Sequence, residues 1–118
     1  MANAGIFVGF GTPVRGRERK AVDVFNETVT YYARLQEDGE IESFEPVFLE
    51  PHGGDLGGFF LLRGNRERLA QVRASEEFQH FALRASLVVE GLGVVGATLG
   101  EDIARDMGNY QEQVAALT

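Results

Sequence analysis

Three of the segments that read as strands are apolar on both of their faces. Ala4 to Phe10 carries Ile6, Phe7, Val8 and Phe10, Gly58 to Leu62 carries Phe59, Phe60, Leu61 and Leu62, and Gly91 to Leu99 carries Leu92, Val94, Val95, Ala97 and Leu99. Successive side chains on a strand point to opposite sides, so a sheet with one wet face alternates apolar and polar residues. These segments do not alternate. A sheet built from them needs cover on both faces, and that requirement narrows the folds open to the chain.

The other elements say what cover is at hand. From Arg17 to Glu37 the residues Ala21, Val22, Phe25, Val29, Tyr32 and Leu35 recur at helical spacing, and Asp38-Gly39 stops the helix with Gly39 as a left-handed cap. Ile41 to Glu50 reads as a second strand, with Pro46 placing it at a sheet edge or a bulge. After the turn His52-Gly53-Gly54-Asp55 and the strand from Gly58, Asn65 is positioned to cap a second helix. Ser75 is positioned to restart that helix, with Phe78, Phe81, Ala82, Ala85 and Val89 on one stripe. A last helix, Glu101 to Leu117, has Ile103, Met107, Tyr110, Val114 and Leu117 on one face and Glu101 and Asp102 in its first turn, where the helix dipole favours them. The chain is 118 residues long, the size of one domain, so residues 1–118 are expected to share one core.

The order is β-α-β-β-α-β plus a C-terminal helix, the split βαβ arrangement of an α+β protein. Its usual form is an antiparallel sheet in the order 4-1-3-2 with both main helices on one face. The opposite face is left to the C-terminal helix, whose stripe is apolar, or to the sheet of a second copy. An open face of this kind exceeds the apolar patch that monomers usually carry.

With these features the chain resembles the dimeric α/β-barrel superfamily of ferredoxin-like proteins, over residues 4 to 117. The resemblance rests on element order, the two-sided strands, and Ser75-Glu76-Glu77-Phe78 running through the second helix into Gly91-Leu92-Gly93-Val94-Val95, a stretch similar to that of small monooxygenase-like members. It implies a homodimer whose two sheets pack face to face as a closed barrel. Activities across the superfamily are diverse, so the fold leaves the function open. Haem-degrading relatives use an early-strand Asn, a Trp and a helical His. Here there is no Trp, the first strand has no Asn after Asn3, and His80 lies on the solvated side of its helix with Glu77 and Arg84.

Composition excludes several classes. The chain has no cysteine, which rules out disulfides, thiolate metal sites and thiol catalysis. No His, Asp and Glu spacing matches a metal site, and Gly9-Phe10-Gly11-Thr12-Pro13 is neither a P-loop nor a dinucleotide fingerprint. No cofactor is expected. The net charge of −7 disfavours nucleic acid and anionic membranes. No apolar run reaches the ~18 residues of a membrane span, and the N-terminus has no basic region of a signal peptide, so the expected location is the cytoplasm.

Candidate chemistry gathers at one sheet edge, where the 4-1-3-2 order brings Gly11 to Arg17 near His52, Asp55 and Glu90. His52 with a nearby carboxylate is a candidate general base, or simply part of an exposed turn. Arg15 and Arg17 belong to a basic cluster at the first helix's start, where an anion would be favoured, or are solvated there. Glu45 shares a strand face with Ile41, Ser43, Val47 and Leu49. Turned into the barrel it would be a desolvated acid or base; on an edge strand it would be exposed. The leading expectation is a homodimer binding a small organic molecule between sheet and helices, in the manner of a cofactor-free monooxygenase-like enzyme. Phe7, Phe44, Phe48 and Tyr31 or Tyr32 would line the pocket, and Glu45 or His52 would be its polar group. The alternative is a non-catalytic dimerisation or interaction domain whose aromatics fill the core.

Overall fold

Four strands, β1 (Ala4–Phe10), β2 (Ser43–Phe48), β3 (Gly58–Gly64) and β4 (Gly93–Thr98), form one antiparallel sheet in the order β2-β3-β1-β4. This is the expected order. The structure, a computed structural model, describes residues 2–118. Directly paired residues share a face, so the register Ile6–Leu62, Val8–Phe60, Val8–Val94 and Phe44–Leu62 defines one apolar side. On it Ile6 and Leu62 are 2% and 0% exposed.

Helices α1 (Glu18–Glu37), α2 (Arg66–Ala74) and α3 (Glu76–Ser86) cover that side. Tyr31, Tyr32 and Leu35 of α1, Leu69 and Val72 of α2, and Phe78 of α3 complete the main core. The second helix breaks where expected. Ser75 Oγ accepts from the Phe78 N–H at 3.2 Å, and the Asn65 side chain accepts from Glu67 and Arg68 at 3.0 and 3.1 Å. Each cap satisfies N–H groups that a helix start leaves unpaired. Gly39 takes the left-handed conformation at φ 77°, as its position after α1 requires. β2 and β4 are shorter than the sequence pattern suggests, because ladder pairing of β2 begins at Ser43–Arg63 and that of β4 with β1 at Gly9–Gly93.

The opposite side carries Phe7, Val47, Phe59, Leu61, Val95 and Ala97 by register. Val95 there is 55% exposed. Of the two covers open to this side, the C-terminal helix does not supply one. Helix α4 (Glu101–Leu117) has no buried residue. Its start is tied to α2, on the helical side of the sheet, by Arg66 to Asp102 at 3.0 Å. A helix rooted there runs off the domain: the radius of gyration is 16.2 Å, against the ~13–14 Å of a compact domain of this length.

Candidate functional site: an apolar cavity between helices and sheet

Small side chains open a space between α1, α3 and the sheet. Ala21, Val24 and Thr28 of α1 line it with Ala82 and Ala85 of α3, and Phe10 and Phe60 of the sheet line it with Phe25 of α1. The cavity is about 550 Å³, which falls in the range of small-molecule pockets. Phe25 stacks on Phe60 at 5.2 Å and contacts Phe48 at the same distance, and Phe10 meets Phe48 edge-on at 6.3 Å. Phe48 is 70% exposed and stands at the rim with Leu49, Pro13 and Val22.

The rim is held by an irregular extension of the sheet. Gly11 N–H donates to Glu90 O, Glu90 N–H to Thr12 O, and Val14 N–H to Val88 O, each at 2.8 Å. A side chain on Gly11 would stand 2.9 Å from Glu90 O and 3.0 Å from Asp55 O, so the close approach of these loops needs glycine. The expected meeting of the three loops at one edge is therefore present.

Among the described residues, no side chain lining the cavity is an acid or a base charged at neutral pH. The polar lining side chains are Thr12, Thr28 and Tyr32. Thr28 Oγ1 donates to Val24 O at 2.7 Å, leaving its lone pairs to accept. Tyr32 is 2% exposed. Burial pushes its phenol well above the ordinary range, with the neighbouring Tyr31 adding to the shift, so the hydroxyl stays neutral and can donate.

The sequence candidates fall into three places. Tyr32 and Phe48 line the cavity, with Phe44 edge-on to Tyr32 at 5.8 Å and Tyr31 stacked on Phe81 at 4.6 Å just behind. Phe7 lies on the opposite sheet face, 5.0 Å from Phe59. Glu45 lies there too, exposed on edge strand β2 and paired with Arg63 at 3.2 Å. His52 stays in its own turn: Nε2 meets Leu56 O at 2.7 Å, and Nδ1 accepts from Gly54 N–H at 3.3 Å. Arg15 is exposed, and Arg17 donates to Leu87 O at 2.8 Å, at the C-terminal end of α3. His80 is exposed, 3.8 Å from Glu76. Among the described residues no three His, Asp or Glu side chains gather as a metal site needs, and no helix is long and apolar enough to cross a membrane.

Sequence reasoning placed Phe25, Ala82 and Ala85 in the core and missed their part in the cavity. The available signal was size: alanines at inward positions of two facing helices leave volume unless a large residue opposite fills it.

Solved structures with the same arrangement exist. A hydroxynitrile lyase from Passiflora edulis superposes with a TM-score of 0.62 at 14% identity, covering 86% of this chain and 97% of that one. A dimeric protein of unknown function and ferredoxin-like fold from Bacteroides fragilis gives 0.58 at 10% identity, covering 81% and 96%. The fold is ferredoxin-like. SnoaB, a cofactor-independent oxygenase from Streptomyces nogalater, shares this ferredoxin-like arrangement with a TM-score of 0.53 at 16% identity, over 85% and 96% of the two chains. No protein-family model and no curated protein matches the sequence. What these structures share with the chain is the ferredoxin-like fold expected from its element order.

Proposed function

We propose that the protein is a homodimer that binds an uncharged, mainly apolar organic molecule in the cavity between α1, α3 and the sheet. The observation that carries the binding is the cavity itself. It is aromatic-walled, it lacks a charged side chain, and its polar lining residues, Tyr32, Thr28 and Thr12, are neutral. A charged ligand group would lose its hydration there without gaining a partner, at a cost of several kcal/mol in typical cases. An aromatic or alicyclic ligand with one acceptor for the Tyr32 hydroxyl fits the lining. Two proteins that share the fold, a hydroxynitrile lyase and a cofactor-independent oxygenase, are enzymes, which makes turnover of the bound molecule a natural extension. Neither Glu45 nor His52 reaches the cavity from its present place, so an acid–base role for Glu45 belongs to the opposite sheet face.

A titration with N-phenyl-1-naphthylamine, a neutral fluorescent probe, tests this. Saturable binding near one probe per chain is expected, with the sulfonated analogue bound at least tenfold more weakly. Equal affinity for the two would count against an uncharged cavity.

The homodimer reading rests on the sheet face bearing Phe7, Phe59, Leu61 and Val95, which no buried helix among the described residues covers. A patch of this kind on a stable protein marks an interface. Sedimentation at micromolar concentration should give a dimer, and Val95→Asp, which places a charge on that face away from the core, should give a folded monomer. A parent sedimenting as a monomer would end the dimer reading.

A further inference from the structure

We infer that α4 is a dimerisation element whose apolar stripe pairs with α4 of a second copy, completing the interface that the sheet face begins. The inference rests on the homodimer reading above and goes beyond it, because the sheet alone does not call for α4.

The first observation is exposure. Ile103, Met107, Tyr110, Val114 and Leu117 are all 49% exposed or more. They are not scattered surface residues. They recur every four, three, four and three residues along one helix, a spacing of 3.5. A helix that packs on a broad core shows a wider stripe, whereas a narrow seam at 3.5 residues is the pattern of one helix lying along another.

The second observation is area. A specific dimer buries roughly 800 Å² on each partner. Four strands about 4.8 Å apart and some 20 Å long present a footprint of only about 400 Å². A 17-residue helix is about 26 Å long. Its seam, taken as roughly 10 Å wide, the diameter of a helix, adds about 250 Å². These are planar footprints, smaller than the accessible surface they would bury, and on the same measure the α4 seam adds more than half again to what the sheet face offers.

The third observation identifies the occupant. A two-fold contact brings a surface against itself, so the surface must tolerate its own charges. The residues flanking the seam are Ala104, Asp106, Gln111 and Gln113, with a single charge among them. The charged side chains at the root, Asp102 with Arg66 and Arg105 at 3.0 and 3.2 Å, are already paired with one another. They fix where α4 leaves the domain without loading the seam. Tyr110 is the middle of the five seam residues, so it meets its own counterpart whether the two helices run parallel or antiparallel.

The chain has no cysteine, so one introduced thiol reports the contact. Tyr110→Cys in the full chain is expected to form a covalent dimer under mild oxidation, while Glu112→Cys, two residues away and off the seam, stays uncrosslinked. Met107→Asp should weaken the dimer at least tenfold by sedimentation with an unchanged circular dichroism spectrum, since no α4 residue is buried in the single chain. Equal crosslinking at 110 and 112 would overturn the pairing, as would no crosslink at 110, the result if α4 packs on its own chain or on another protein. A parent tetramer reduced to a dimer by Met107→Asp would put α4 in a separate contact and overturn the shared interface. A dimer broken by Val95→Asp but indifferent to Met107→Asp would overturn the α4 inference and leave the sheet-face reading intact, whereas a monomeric parent would overturn both.

Discussion

Filling the cavity by Ala82→Phe is expected to cut affinity for the neutral probe at least tenfold while leaving thermal stability equal or higher. Ala82 of α3 lines the space together with Ala21 and Phe25 of α1. A phenyl group there occupies volume that nothing fills in the free protein. In a packed core the same change would force neighbours off their rotamers at a cost of ~1–3 kcal/mol. In an open cavity it gains contacts instead, because an unfilled space forfeits dispersion on every wall. Probe titration and a thermal melt on the same sample check both halves. The pairing of readouts matters because the open sheet face also presents apolar surface to a dye. Lost binding with an intact melt places the probe in the cavity. Undiminished binding would move it to the sheet face, and a melt lowered by 10 °C would mean that the space closes in solution.

Leu62→Ala is expected to destabilise the protein by about 3–5 kcal/mol. Leu62 is fully buried on β3, with Ile6 of β1 and Phe44 of β2 beside it in register. Truncation removes its transfer free energy and leaves a hole that the sheet cannot close, because three strands fix the backbone around it. Against the roughly 5–15 kcal/mol of a typical domain this is a large fraction. Chemical denaturation should show a lower midpoint with little change in slope. Leu83→Ala on α3 is the control: that side chain is 62% exposed, and its loss should shift stability by about 0.5 kcal/mol or less. Similar losses at both positions would mean that the burial difference between them is not what stabilises the sheet.

Most of the local structure is written in the sequence because local physics decides it. Gly39 ends α1 through a backbone conformation that other residues resist, and Asn65 and Ser75 start α2 and α3 through side-chain caps that need nothing distant. The element order led to the observed strand order. The meeting of Gly11, Asp55 and Glu90 followed from that order alone.

The site was not legible in the same way. Register decided that Glu45 and Phe7 share the face away from the helices, while Phe44 and Phe48 lie on the other: β2 pairs Glu45 with Leu61, and a slip of one residue would have reversed every side chain. Periodicity along a strand names two sets of residues but not which set faces the helices. A turn histidine reads as a free base until the turn closes and both ring nitrogens meet its own backbone, as they do at His52. The cavity is a property of several elements at once, since Ala82 and Ala85 leave space only because α1 brings Ala21 and Thr28 opposite them. The sequence by itself determined the elements and their order, because those depend on neighbours in the chain. Only the tertiary structure decided where the empty volume lies and which polar groups reach it, because both depend on distances between residues far apart in sequence.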